Sequence, residues 1–142
     1  MTDGLYTAVA TSTGGGRAGG RAVTSDGTLD LTMAIPKTLG GPGGGTNPEQ
    51  LFAAGWASCF HSALKVVAAT QKIRFTDSAV VAEVSIHAAD DGALGLSAAL
   101  HVELAGVDQA TADDLVEAAH KICPYSNATR GNIPVTIDAT VA

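Results

Sequence analysis

Two side chains here carry the strongest intrinsic chemistry, Cys59 and Cys123. A thiolate is both a nucleophile and a metal ligand, and two thiols can close reversibly on each other. The stretch Met1 to Thr13 contains Asp3 and no basic run leading into an apolar segment, so a signal peptide is not expected. A cytoplasmic setting follows, where reductants keep thiols reduced, and a bond between these two cysteines should be transient rather than structural. Cysteine also serves as a small buried hydrophobe, and residue type alone leaves both readings open. Around Cys59 stand Phe52, Trp56, Phe60 and Ala63, surroundings that raise a thiol pKa and make it inert. A nucleophile there needs a cation. Arg17 lies in a glycine-rich loop that could bring its guanidinium into a buried site, and Glu49 could hold it. The plain alternative is a solvated Arg17 and an ordinary acid at a helix start.

Other chemistries are less well supplied. Cys59-x-His61 and His120-x-x-Cys123 offer four ligands of types that zinc accepts, but residues two apart on a helix point to nearly opposite sides, so no metal is expected. Cys123-Pro124-Tyr125-Ser126 looks like a glutaredoxin motif without its second cysteine, yet it follows a helix near the C-terminus instead of opening one after an early strand. A Cys-His hydrolase using His61 or His120 lacks an evident third group. Gly14-Gly15-Gly16-Arg17-Ala18-Gly19 matches the dinucleotide pattern of glycines, but a strand rather than a helix should follow, and no P-loop lysine is present. No cofactor is therefore expected. A noncatalytic dimer that binds a lipid or responds to peroxide remains a distinct alternative. His87 and His101 fall on polar strand faces, and Tyr125, Asn127 and Arg130 could be site wall or helix cap; none is given a chemical role.

These residues need elements to position them. The 142 residues are 46% hydrophobic, enough for one core and too few for two ordinary domains, so a single domain over 1–142 is expected. A net charge of -6 with scattered Lys and Arg argues against nucleic acid. Strands are expected at Leu5 to Thr11, at Arg21 to Ser25, and where Leu29, Leu31, Met33 and Ile35 alternate with smaller or polar residues, with Asp26-Gly27 turning between the last two. A second antiparallel hairpin pairs Val80 to Ile86 with Leu94 to Leu104 about Asp91-Gly92, and Val135 to Val141 forms a last strand. Asn47-Pro48-Glu49 is a helix start: a cap, a preorganised first residue and an acid at the positive end of the dipole. The helix from Leu51 to about Thr70 is apolar on nearly every face and must be buried all round. His61 and Lys65 leave its apolar run shorter than the roughly 20 residues of a membrane span, so a core is the better setting and no membrane is expected. Surrounding such a helix is difficult for one small domain, which points to a tight homodimer. An amphipathic helix from about Asp108 to Ile122 ends at Cys123-Pro124, and a short helix follows, stopping at Gly131.

Four segments, Gly41-Pro42-Gly43-Gly44, Thr46-Asn47-Pro48-Glu49-Gln50-Leu51-Phe52-Ala53-Ala54-Gly55, Ala57-Ser58-Cys59-Phe60 and Cys123-Pro124-Tyr125-Ser126-Asn127-Ala128-Thr129-Arg130-Gly131-Asn132, closely resemble the organic hydroperoxide resistance (Ohr) proteins of the OsmC/Ohr superfamily. The resemblance runs from Leu5 to the final strand and favours the Ohr branch. It implies an α+β fold of antiparallel strands with a long buried central helix and a second helix, made as an intertwined homodimer. It also implies thiol peroxidase activity on organic hydroperoxides, regenerated by a lipoylated or dithiol reductant. By motif, Cys59 matches the peroxidatic cysteine, Cys123 the resolving cysteine that forms a disulfide with it, Arg17 the active-site arginine and Glu49 the acid orienting it. The loop after Arg17 is one residue longer than the usual pattern, and Arg21 is the second candidate for that arginine.

Overall fold

The computed structural model describes residues 3–142; Met1 and Thr2, which open the stretch read for a signal peptide, lie outside it. Internal packing divides the chain into two units, Met1–Leu51 and Phe52–Ala142.

The first unit holds a three-stranded antiparallel sheet, β1 (Ala10–Thr13), β2 (Arg21–Thr24) and β3 (Asp30–Thr32), in that order. Thr13 opposes Arg21, and Ala22 opposes Leu31. The Asp26-Gly27 turn forms as expected: the Asp26 carboxylate accepts from the Thr28 N–H and the Thr24 hydroxyl, and Gly27 takes φ 75°. Two expected strands are shorter than their patterns. The first begins only at Ala10: among the described residues the segment before it forms no ladder beyond the Ser25 N–H donated to the Val9 carbonyl, and Leu5 and Tyr6 stand 101% and 82% exposed. The third ends at Thr32, where Met33 instead bridges Thr46 and Pro36, which has no N–H to donate, opens a 3-10 turn over Lys37–Leu39. Between β1 and β2 the glycine-rich loop makes a 3-10 turn, Gly16–Ala18, with Gly16 at φ 59°. A Cβ on Gly20 would fall 2.2 Å from the Thr13 carbonyl oxygen, so this tight closure requires glycine.

Helix α1 (Pro48–Thr70) starts as its sequence dictates, with the Asn47 side chain accepting from the Gln50 N–H at 2.9 Å. In the second unit β4 (Asp77–Ala88) and β5 (Leu94–Ala105) form the expected antiparallel hairpin. The last strand, β6 (Val135–Val141), whose direction the sequence left open, runs parallel to β5, with Ala98 opposite Val135 and Leu104 opposite Val141. Parallel neighbours need a long crossover, supplied here by α2 (Gln109–Ile122) and α3 (Pro124–Thr129). Asp108 caps α2 by accepting from the Thr111 N–H.

The core joins one stripe of α1, Trp56, Phe60, Leu64 and Val67, to Leu100, Val102 and Leu104 of β5 and to Leu115 and Ala119 of α2. The spacing of that stripe is the helical one, so a single face is buried. Ser58, Ser62 and Val66 on the other side are exposed, and one chain alone does not give α1 the all-round burial its composition calls for. At 23 residues α1 is also long and apolar enough, by length and composition, to cross a bilayer, despite His61 and Lys65. Its buried stripe belongs to the protein core.

Candidate active site

In the first unit the 3-10 turn carries Arg17 and the first turn of α1 carries Glu49. They meet in a two-pronged pair: Arg17 Nη1 donates to Glu49 Oε2 at 2.6 Å and Nη2 to Oε1 at 2.8 Å. A fork-to-fork geometry fixes the guanidinium plane as well as its position. The Arg17 bonds hold the Glu49 carboxyl below the usual carboxylate range, partly opposed by its burial. Glu49 in turn raises Arg17 above its ordinary value. Arg21, the second candidate, is engaged elsewhere: its guanidinium grips Asp30 across β2 and β3.

In the second unit Cys59, on α1, and Cys123, at the junction of α2 and α3, are both free thiols. The junction follows from Pro124: Cys123 takes extended φ and ψ of -65° and 122°, ends α2 and serves as the N-cap of α3. Cys123 is fully buried, whereas Cys59 is partly exposed. Burial pushes the Cys59 thiol above its ordinary range; the Tyr125 backbone N–H pulls it back, and neighbouring Cys123 pushes it up again by charge and by hydrogen bond. Within its own unit Cys59 is therefore a poor thiolate, as its apolar neighbours predict.

Tyr125 was left without a role on sequence grounds. Its N–H belongs to the first turn of α3, where amides have no partner inside the helix, and that is the signal that points to it. Its ring packs edge-on to Phe52, with centroids 5.8 Å apart. Its hydroxyl lies 2.8 Å from where a Cβ of Gly55 would be, so Gly55 is the bare patch of α1 that lets the ring in. His61 Nε2 shares a hydrogen bond with Ser78 Oγ on β4 at 2.8 Å, and His120 is half-buried with Nδ1 unpartnered among the described residues. Burial lowers the pKa of both. Among the described residues no group of three or more His, Cys, Asp or Glu side chains is placed to hold a metal ion. A cavity of about 680 Å³ beside the end of α1 gathers Lys65, Lys72 and Arg74 about Phe75, so the fold clusters cations that are scattered in sequence. None of the four predicted site residues lines it.

Two sheets with a long helix and a crossover into a parallel strand match known proteins throughout. Residues 41–138 match the family described as OsmC-like protein. An organic hydroperoxide resistance protein of Xanthomonas axonopodis pv. citri is 50% identical over 139 residues, covering 94% of this chain and 93% of that protein. The crystal structure of an organic hydroperoxide resistance protein from Legionella pneumophila superposes with a TM-score of 0.93 at 47% identity, covering 98% of this chain and all of that one. The corresponding protein from Elizabethkingia anophelis gives a TM-score of 0.94 at 44% identity, over 99% of this chain and all of that one. The chain belongs to the OsmC/Ohr superfamily, with its similarities in the organic hydroperoxide resistance branch.

Proposed function

We propose that this protein is a thiol-dependent peroxidase that reduces organic hydroperoxides to alcohols. The observation that carries the reading is the neighbouring pair of free thiols, one partly exposed and one fully buried, with the Tyr125 amide turned to the exposed one. In the first step the Cys59 thiolate attacks the distal peroxide oxygen, the O–O bond breaks, and the leaving alkoxide takes a proton to become the alcohol. Cys59 is then a sulfenic acid. The Cys123 thiol condenses with it, forming the disulfide and releasing water, which protects Cys59 from overoxidation. A dithiol, such as a lipoylated protein, reduces the disulfide by exchange.

Cys59 is raised by its own surroundings, so the first step requires a cation. Arg17, held flat by Glu49, takes that role in this reading, stabilising the thiolate and the charge that develops on oxygen. Apolar neighbours of Cys59 favour alkyl or fatty acid hydroperoxides over hydrogen peroxide, at about 0.8 kcal/mol per buried methylene. The protein acts as a homodimer in the cytoplasm: Leu5, Tyr6 and Val66 are exposed in the single chain, and a second copy gives them cover. Sedimentation at micromolar concentration should show the dimer; a monomer counts against it.

The decisive experiment follows turnover of a bulky alkyl hydroperoxide with dihydrolipoamide in the wild type, Cys59→Ser and Cys123→Ser. Turnover should disappear in both variants while Cys123→Ser still reacts once. Activity that survives Cys59→Ser overturns the reading.

A further inference from the structure

The buried stripe of α3 is Cys123, Ser126 and Thr129, spaced by threes, with Cys123 and Ser126 at 0% exposure. Such a stripe is ordinarily hydrocarbon; this one is a thiol and two hydroxyls. Thr129 is accounted for, since its hydroxyl donates to the Tyr125 carbonyl at 2.8 Å and lies 3.2 Å from that of Ser126. Among the described residues the Ser126 hydroxyl has no partner. The carbonyl one turn back, that of Cys123, accepts the Asn127 N–H at 2.9 Å. A fully buried hydroxyl without a partner is destabilising and calls for an explanation beyond the resting fold.

An explanation lies one turn away. Cys123 is the N-cap of α3 and Ser126 its third residue, positions whose side chains share the first turn, and a hydroxyl rotates to suit its acceptor. We propose that the Ser126 hydroxyl is the hydrogen-bond donor for negative charge that develops on the Cys123 sulfur whenever the Cys59–Cys123 bond is made or broken. This rests on the two-thiol reading above. In the reduced thiol state no such charge exists, and the hydroxyl is bonded to none of the described residues. During reduction, an external thiolate attacks the more accessible sulfur, Cys59, because Cys123 is fully buried. The S–S bond breaks and its electron pair leaves on Cys123, a thiolate in an apolar core that is costly without a donor. Cys123 then takes a proton from water, and the second thiol of the reductant attacks the mixed disulfide, closes the reductant into its own disulfide and frees Cys59.

The test is independent of peroxide. The disulfide is formed with diamide in the full protein, and its reopening by dithiothreitol is timed in wild type, Ser126→Ala and Ser126→Thr. Ser126→Ala should slow reopening about tenfold, and Ser126→Thr, which keeps the hydroxyl, should restore most of the rate. Thermal unfolding of reduced Ser126→Ala should be unchanged or shifted upward, because an unpartnered buried hydroxyl has been removed. Equal reopening rates overturn the proposal, as does a lowered thermal midpoint with no recovery in Ser126→Thr. If the tenfold slowing appears in a protein whose wild type consumes no hydroperoxide, the donor role stands and the peroxidase reading fails.

Discussion

In the first unit Arg17 reaches Glu49 from a glycine-rich loop, and charge and a planar fork fix the geometry. In the second unit Cys123 belongs to the hydrophobic core cluster and Cys59 packs against it, and packing fixes them. The polar pair stabilises its own ionised forms: Glu49 is held low and Arg17 high. The thiol pair does the reverse, since burial disfavours the ionised form of Cys59 that the proposed chemistry requires. One region thus supplies charge with little dependence on a core, and the other supplies apolar shelter at the expense of reactivity. If the comparison is sound, mutations in the first region should reduce rate far more than stability, and mutations in the second should do both.

The largest effect on stability is expected at Trp56, fully buried and T-stacked on Phe52. Trp56→Ala should lower unfolding free energy by about 3–5 kcal/mol in urea titration. Arg17→Ala should change stability by no more than about 1 kcal/mol, as half-exposed ion pairs contribute little. It should nevertheless slow the peroxide step about a hundredfold and move the alkaline rise of that step to higher pH. Equal stability losses in the two variants would erase the contrast. Gly55→Ala sits between them: its new methyl forces the Tyr125 ring aside, with a stability loss of about 1–3 kcal/mol by thermal unfolding. The paired Gly55→Ala, Tyr125→Ala variant should recover part of that loss, and no recovery would show that the ring is not what the glycine accommodates.

A smaller effect sharpens the polar side of the comparison. Because the folded Glu49 pKa lies below its unfolded value, its contribution to stability is present above the ordinary carboxylate range and lost as pH falls through the folded value. The acid decline of the thermal midpoint should be shallower in Glu49→Gln than in wild type at low salt. Identical declines would mean that the Arg17 bond adds nothing to folding.

Local chemistry was the legible part of this chain. Asn47 and Pro48 start α1 wherever the fold puts it, and Asp91-Gly92 turns β4 into β5, because caps and turns are decided by neighbours in sequence. Pairing direction was not legible, since alternation along Val135–Val141 is the same for a parallel or an antiparallel neighbour. Leu5 to Val9 has the composition of a strand, but a strand needs a ladder, and among the described residues Val9 accepts a bond from the Ser25 N–H without a strand forming there. Of the candidate site, the residue types at Cys59, Cys123, Arg17 and Glu49 stood out because few side chains can do such work. What is proposed for Tyr125 and Ser126 was hidden, because it rests on a backbone amide and on a hydroxyl without a partner among the described residues, features of three-dimensional packing.

The smallest predicted effect lies on the outer face of the second sheet. His101 on β5 sits opposite Asp138 of β6, with Nδ1 2.8 Å from its carboxylate, and its Nε2 lies 3.2 Å from Glu83 of β4. One ring thus links all three strands, including the parallel edge strand that α2 and α3 deliver. The Asp138 bond, then that of Glu83, raises the imidazole pKa above its ordinary value. A group raised on folding contributes stability that is full below its unfolded pKa and lost as pH rises through the folded one. The midpoint difference between wild type and His101→Gln should therefore be positive near pH 5 and shrink toward pH 8. Added salt should reduce it at pH 5, because the ring and both carboxylates are exposed and screened. A difference independent of pH would mean that the ring links the strands through neutral hydrogen bonds alone. Unlike Arg17 with Glu49, this charged cluster should leave peroxide turnover unchanged, separating a polar link that serves the sheet from one that serves the chemistry.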